Sequence, residues 1–268
     1  MRTIAVILLG KLNLEYQYQH PKTNLVKVYN SAPLKVQRPF YPEGEHICHT
    51  FILNTAGGIV ANDRLSQQIH LHQQSQVLIT TASAGKVYRS ETTQAQQHIN
   101  INLESGAYLE YIPLENIIFA GANYYQSLTI ELAENAQYLG WEINRFGRTA
   151  RGEKFETGTW LSATEIWRQG QPLWIDRQGL WGEQNLYSSA NGLANQPVVG
   201  TLTWLGSKIR RELLTEMRYL GENLAGETGI TTLTDGLICR YRGQTTTEVK
   251  TWFKQIGDRI KCLHKSTV

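Results

Sequence analysis

The residues best able to do chemistry in this sequence are five carboxylates in or beside segments that join alternating apolar patterns. Two carboxylates that converge in the fold are what a glycosidase or a lyase uses for acid–base chemistry. Carboxylate oxygens also bind a borderline divalent metal cation loosely, compared with thiolate or imidazole sites, and loose binding suits passage of an ion. Arginines lie nearby in the sequence, so an ordinary salt bridge is the alternative for each carboxylate taken alone. The five are Asp63, Glu110, Glu115, Glu142 and Glu153.

His46-x-Cys48-His49 is the best local cluster of metal-ligand side chains. Alternate residues of a strand share a face, so Cys48 lies with His46 and opposite His49, and the three do not converge. We therefore expect ordinary sheet-edge side chains there and keep the three only as secondary metal candidates. His70-x-His72 does share a face, and we interpret it as solvent-facing polarity instead of a ligand pair.

A binding surface is predicted beside a run of small residues, Thr80 to Gly85. Lys86, Tyr88 and Arg89 follow it, and cationic and aromatic side chains around a small-residue floor suit binding of a protein or an anion. Gly85-Lys86 resembles the end of a phosphate-binding loop, but Val87 stands where Ser or Thr would bind Mg²⁺. The G-x-S-x-G and H-E-x-x-H motifs do not occur either. The sequence therefore favours binding over catalysis.

Composition narrows the class of protein. A net charge of +3 over 268 residues is too small to indicate nucleic-acid binding, and no nucleic-acid-binding motif occurs. Three widely separated cysteines, Cys48, Cys239 and Cys262, without a C-x-x-C pair favour a reducing compartment. No apolar run reaches the about 20 residues that a membrane-spanning helix needs. We expect a cytoplasmic protein that does not span a membrane.

Aromatic residues offer a different function. Seven tryptophans and 13 tyrosines would suit a face that stacks on sugars. However, Trp160, Trp167, Trp174 and Trp181 are spaced as in the core of a sandwich or solenoid, so core packing is the favoured interpretation.

An internal repeat predicts the fold. Ile69-x-Leu71, Ile101-x-Leu103 and Ile130-x-Leu132 each lead through a polar turn to a second apolar segment, and the pattern recurs at roughly 30-residue intervals. We predict a mainly β fold of stacked strand-turn-strand units, solenoid-like or layered, over residues 1–200. If the units stack, the segments that follow them line up on one side.

In the C-terminal part, residues 201–268, the spacing of the apolar residues changes from that of strands to that of helices, which predicts two helices. The first carries apolar residues from Ile209 to Leu224, with Ser207 as its expected N-cap, and the second has Thr245 and Glu248 as an expected capping box. A strand pair is predicted around Asp235-Gly236. We expect one domain over residues 1–268.

Several ordered segments of the chain resemble the urease accessory protein UreD family, and together they span nearly the whole length. The family more often has His where Asn54 stands and Pro where Ala56 stands. The segments are Ala32 to Gly44, Asn54 to Ser90, Pro113 to Ala122, Gly147 to Phe155 and, more loosely, Arg240 to Gly243.

The resemblance implies a non-catalytic metallochaperone scaffold. Members join UreF and the GTPase UreG on the urease apoprotein, help to install its nickel, and are thought to offer the ion an internal route. UreE would deliver nickel indirectly, and Ni²⁺ would be bound only transiently. The alternative function is a β-solenoid carbohydrate-active enzyme or carbohydrate-binding protein.

Two sets of residues are our candidates within that function. The first lies in or beside the segments that follow the stacked units, called linkers below, and is predicted to line or border the nickel route or an interface. The second lies on the last helix and is predicted to dock UreF. The first set is Asp63, Lys86, Tyr88, Arg89, Glu115 and Glu142, and the second is Val249, Trp252, Phe253 and Ile256.

Overall fold

The three repeats each fold into a strand, a turn and a second strand. The computed structural model describes residues 8–90 and 93–265. Ile69 pairs with Ile101, and Ile101 with Ile130, in neighbouring parallel strands. Every unit gives its first strand to one sheet and its second to another, so equivalent positions stack in register. The predicted fold of stacked strand-turn-strand units is confirmed.

Sheet A has seven strands in the order β14-β13-β11-β8-β5-β1-β2. Its central strands run parallel, and an antiparallel hairpin closes each end. Its strands are β1 Leu9–Gln19, β2 Lys22–Asn30, β5 Arg64–Leu71, β8 Ala95–Leu103, β11 Asn123–Leu132, β13 Thr159–Arg168 and β14 Gln171–Trp181.

Sheet B has ten strands, of which eight follow the order β16-β17-β15-β12-β9-β6-β4-β3, while β7 and β10 add to the edge beside β12. Its strands are β3 Leu34–Val36, β4 Ile47–Asn54, β6 Gln76–Thr81, β7 Gly85–Val87, β9 Tyr108–Tyr111, β10 Asn116–Ile118, β12 Gln137–Phe146, β15 Val198–Leu205, β16 Glu227–Leu233 and β17 Gly236–Gly243.

The main core lies between the two sheets. Alternation sends every second side chain inward, as Leu12, Leu14 and Tyr16 of β1 show, and all three are at most 1% exposed. A second core lies on the far side of sheet B, under the C-terminal helices.

Two helices follow the strand-rich body, as predicted. They are α1 Arg211–Tyr219 and α2 Thr246–Lys265. The predicted N-cap of the first helix is wrong, since α1 begins after Arg210 without a side-chain cap. It also ends before Leu220, because the chain turns at Gly221. Neither helix, over its described residues, is long and apolar enough to cross a membrane.

The capping box predicted for α2 is only half formed. Thr245 Oγ1 accepts a hydrogen bond from the Glu248 amide at 3.2 Å. The Glu248 carboxylate, however, accepts from the amides of Ala225 and Gly226 and from the Tyr241 hydroxyl. Glu248 therefore ties the helix to the preceding loop and to β17.

The prediction that one face of α2 docks UreF needs correction. Val249, Trp252, Phe253 and Ile256 are at most 1% exposed, because they cover the outer face of sheet B. The apolar stripe that predicted the helix also seats it inside the protein, so these side chains are not available to a partner in this fold.

Gly200 of β15 sets how closely α2 approaches the sheet. A methyl group added there would lie 2.7 Å from Val249 Cγ2 and 3.0 Å from Phe253 Cε2. We expect Gly200→Ala to destabilise the protein by about 1–3 kcal/mol through overpacking, as measured by urea denaturation. Gly229→Ala in exposed β16, where an added methyl meets no atom within 4 Å, is the matched control. Equal stability of the two variants would contradict this account.

A buried ion pair holds the other end of α2. Glu110 of β9 is 3% exposed, and its carboxylate lies 2.8 Å from Lys261 Nζ and accepts a hydrogen bond from the Tyr108 hydroxyl. Burial raises the pKa of Glu110, while Lys261 opposes that effect. The carboxylate, predicted as a possible catalytic or ion-binding group, faces the helix and not the space between the sheets.

We expect Lys261→Met to destabilise the protein by about 2–4 kcal/mol at pH 8, because a buried charge loses its partner. The loss of Lys261 raises the pKa of Glu110 further, so the deficit should shrink as the pH falls toward 4.5, the ordinary value for Glu. Urea denaturation at several pH values measures this. The double variant with Glu110→Gln should regain most of the loss, and a pH-independent deficit would refute the explanation.

Candidate functional site

The segments that follow the repeats do line up on one side. Gly85 of β7 pairs with Asn116 of β10, and Asn116 pairs with Asn144 of β12, all in parallel. The side chain of Asn116 also fills the space beside Gly85, where a Cβ atom would lie 2.3 Å from Asn116 Oδ1. The small residues therefore allow neighbouring linkers to approach closely.

A cavity of about 300 Å³ opens between the sheets at this end. Its floor comes from Gln67, Gln97 and Gln126 of sheet A, and the facing wall includes Tyr111 and Glu142 of sheet B. Exposed residues at the linker end, Ser83, Lys86 and Gly57, also line it. The interior is therefore open to solvent where the linkers meet.

A polar layer crosses sheet A at one register level. Gln97 pairs with Gln126, Gln126 with Ser162, and Ser162 with Gln178, on four neighbouring strands. Each of these side chains points between the sheets, in line with apolar core residues further along its strand. In-register stacking thus turns one polar position per strand into a continuous row.

Hydrogen bonds join that row to sheet B. Gln126 Nε2 donates to Ser162 Oγ at 3.3 Å, and Ser162 Oγ donates to Glu142 Oε2 at 3.1 Å. Asn116 Nδ2 donates to Gln126 Oε1 at 3.2 Å. The linker, the polar layer and Glu142 therefore form one network.

Glu142 lies at the boundary of two cavities. A second cavity, of about 20 Å³, shares Leu128, Trp141 and Glu142 with the first and continues to Asp176 and Gln178. Burial raises the pKa of Glu142, against the opposing hydrogen bonds from Asn144 and Ser162. Glu142 is therefore the titratable residue that lines both spaces.

The polar layer reaches solvent on the far side through an ion pair. Arg240 of β17 lies 2.8 Å from Asp176 of β14 and donates to Thr201 Oγ1 at 2.7 Å. The Arg240 side chain is 40% exposed, whereas that of Asp176 is 13% exposed. Polar groups therefore extend from the linker mouth to the opposite rim.

Two buried amide oxygens along this path have no hydrogen-bond partner among the residues that the structure describes. Gln67 Oε1 lines the larger cavity, and Asn144 Oδ1 belongs to the residue that donates to Glu142. Both residues are at most 3% exposed. Burying an acceptor without a hydrogen-bond partner costs free energy, so water or a hydrated cation bound beside these oxygens would stabilise them.

Of the six residues predicted for a nickel route or interface, only Lys86 and Glu142 line the cavity. Asn54, the position where the resembled family more often has His, lines it as well. Asp63 is 1% exposed and accepts hydrogen bonds from the amides of Leu8 and Val60, which fixes a turn. Glu115 forms a 3.1 Å ion pair with Lys250 of α2.

Tyr88 and Arg89 lie in the linker but outside the cavity lining. The Tyr88 ring packs edge-on against Phe119, with 5.0 Å between the ring centroids. The ring also lies directly beside Gly58, where a Cβ atom would clash with it. Arg89 is exposed and runs beside Gly121. Their side chains therefore brace the linkers and border the surface near the mouth.

The secondary metal candidates do not converge. Cys48 is 0% exposed between the sheets, His49 is 8% exposed on the outer face of sheet B, and His46 is exposed before the strand begins. His49 Nε2 lies 3.1 Å from Glu43 instead.

Several interior residues were missed from the sequence. Gln97, Gln126, Ser162, Asp176 and Arg240 look like surface polarity when read singly. Their position in the strand is the signal. Gln97 is an even number of residues from Ala95, Ile99 and Ile101, so it lies on the same, core-facing side of the strand.

The chain is similar in sequence to known proteins over nearly its whole length. The family model described as UreD urease accessory protein matches residues 9–266. A urease accessory protein UreD of Trichormus variabilis is 56% identical over 252 residues, covering 94% of this chain and 90% of the relative. One of a Nostoc species is 57% identical with the same coverage, and one of a Synechocystis species is 43% identical over 92% of this chain and 94% of the relative.

These matches favour a role in urease maturation and do not support the carbohydrate-active or carbohydrate-binding alternative. They extend from the first strand through the polar layer to the last helix. The chain belongs to the UreD urease accessory protein family.

Proposed function

We propose that this chain is a non-catalytic scaffold that passes nickel through its interior toward the urease apoprotein. The single observation that carries the proposal is the polar layer between the sheets, which links a cavity at the linker mouth to the Asp176–Arg240 rim. In a family of urease accessory proteins, the cargo that such a path fits is a hydrated cation.

The side chains along the path suit transient binding. They offer carboxylate and amide oxygens from Glu142, Asp176, Gln67 and Asn144, and no thiolate or imidazole lines either cavity in the part of the chain described. Oxygen donors hold Ni²⁺ less tightly than sulfur or imidazole donors. An ion would therefore move on instead of being stored, and no permanently bound cofactor is needed.

The proposed partners are UreF, the GTPase UreG and the urease apoprotein, with UreE delivering nickel indirectly. GTP hydrolysis is assigned to UreG, since this chain lacks a phosphate-binding loop. The two rims of the path are separate surfaces, so an ion donor and an ion acceptor could dock at once. A reducing, cytoplasmic setting is part of the same proposal.

The carboxylate that borders both cavities gives the first test. We expect Glu142→Gln, and independently Asp176→Asn, to lower the nickel content and activity of co-expressed urease at least about tenfold, because a charged ligand is lost from the path. Nickel per urease is measured by elemental analysis. Glu222→Gln, an exposed loop carboxylate, is the matched control, and wild-type nickel loading by both interior variants would refute the route.

The same variant separates function from folding. Because the pKa of Glu142 is raised, its ionised form costs stability as the pH climbs above 4.5, the ordinary value for Glu. Gln stays neutral, so Glu142→Gln should be as stable as the native chain or more stable at pH 7–8, and the gain should vanish below pH 4.5. Loss of activation together with loss of stability would point to misfolding instead.

The cavity mouth gives a second test. Ser83 is exposed and lines the larger cavity, and we expect Ser83→Trp to lower urease activation severalfold by filling the opening. Ser188→Trp, on an exposed turn away from the cavity, should leave activation unchanged. Recovery of the complex with UreF and UreG by affinity pull-down distinguishes a blocked path from a broken interface. Full activation with Ser83→Trp would argue against entry or exit at this mouth.

A further inference from the structure

Two histidines and a glutamate meet on the outer face of sheet A. His70 Nε2 lies 2.7 Å, and His72 Nδ1 lies 3.1 Å, from the same oxygen of Glu104, Oε1. The imidazole rings are 4.4 Å apart between centroids. The alternation of β5 predicted that both histidines face solvent. They do face outward, and a carboxylate from the next repeat joins them.

Strand register builds the cluster. His70 and His72 are two residues apart at the end of β5, so both project from the outer face. Leu71 pairs with Leu103 of β8, and the Glu104 amide continues the ladder to Leu71 O at 3.0 Å. The turn after β8 therefore delivers Glu104 beside the histidine pair, although the two segments are far apart in the sequence.

Two of the three donor-atom separations match the spacing of a coordination shell. Bonds of about 2.1 Å place neighbouring ligand atoms roughly 3.0 Å apart at right angles and roughly 3.4 Å apart in a tetrahedral site. The distances from Glu104 Oε1 to the two ring nitrogens, 2.7 Å and 3.1 Å, are close to the right-angled spacing. The three ligand atoms lie within 4.8 Å of one another. A cation bound here would replace the protons that the two imidazoles share with Glu104.

Neighbouring groups orient the ligands. The other Glu104 oxygen, Oε2, accepts a hydrogen bond from the Gln73 amide at 3.0 Å, which leaves Oε1 for the histidines. Glu15 Oε2 lies 3.9 Å from His72 Nε2, the ring nitrogen turned away from Glu104. That separation is too long for a hydrogen bond, so the Glu15 carboxylate acts on the His72 imidazole only through its charge.

We propose that His70, His72 and Glu104 form a surface site for a first-row divalent cation such as Ni²⁺ or Zn²⁺. Imidazole with carboxylate is a donor set that suits these ions. The His70 and His72 side chains are 33% and 36% exposed, so water or a donor from another molecule can complete the shell. None of the three residues lines the interior cavities, and this site stands independently of the proposed nickel route.

The test uses the full-length chain with Ni²⁺ or Zn²⁺ alone as the probe. Equilibrium dialysis should show one bound equivalent fewer in the His70→Ala, His72→Ala double variant, and at least about tenfold weaker binding in Glu104→Gln. In ¹H–¹⁵N spectra of the histidine rings, Zn²⁺ should shift Nε2 of His70 and Nδ1 of His72. The spectra need no substitution, so they decide the matter even if the double variant folds poorly.

His98→Ala is the matched control, because His98 lies on the same face of sheet A but pairs with Ser127 at 2.8 Å. It should keep the stoichiometry of the native chain. Unchanged binding in both ligand variants, or zinc-induced shifts confined to other histidines, would overturn the proposal. Failure here would leave the interior route untouched, since urease activation tests that separately.

Discussion

Parallel, in-register pairing of repeated units is the constraint on which the rest of this structure depends. Ile69, Ile101 and Ile130 lie side by side in neighbouring strands, and this register aligns every other position of those strands in rows across the sheet. Rows of apolar residues form an ordinary β-sandwich core. A single polar level makes a row of side chains running across the sheet, at right angles to the strands.

Burying that row of polar side chains costs desolvation free energy, which hydrogen bonds must offset. Buried amides and carboxylates are tolerated when they are hydrogen-bonded, and most groups in the layer are, through Ser162, Asn116 and Thr201. The remaining acceptors, on Gln67 and Asn144, lie at or beside the cavities. Replacing buried charged groups by well-packed apolar side chains of similar volume is often neutral or stabilising, so the polarity of this space is not required for stability.

The sequence predicted the repeat, the alignment of the linkers and the last helix, because each rests on local periodicity. It did not predict what the helix face contacts: an apolar stripe such as Val249 to Ile256 fits a partner or the chain's own sheet equally well, and the close approach at Gly200 emerges only in three dimensions. Asp63 and Glu115 were placed near the right end of the molecule, but hydrogen bonding and an ion pair turn both away from the cavity. The interior glutamines are not recognisable from residue type, because only their position in the strand alternation shows that they point inward.

The pairing of Gln97, Gln126 and Ser162 also bears on how such a chain can change its length over evolution. Adding or deleting one residue inside a strand would exchange its inner and outer faces and interrupt the row at that strand. Tight turns such as the one around Asn135, which adopts a left-handed conformation, can lengthen without that penalty. Insertions and deletions among related proteins should therefore collect in the turns, leaving the strand segments nearly constant in length.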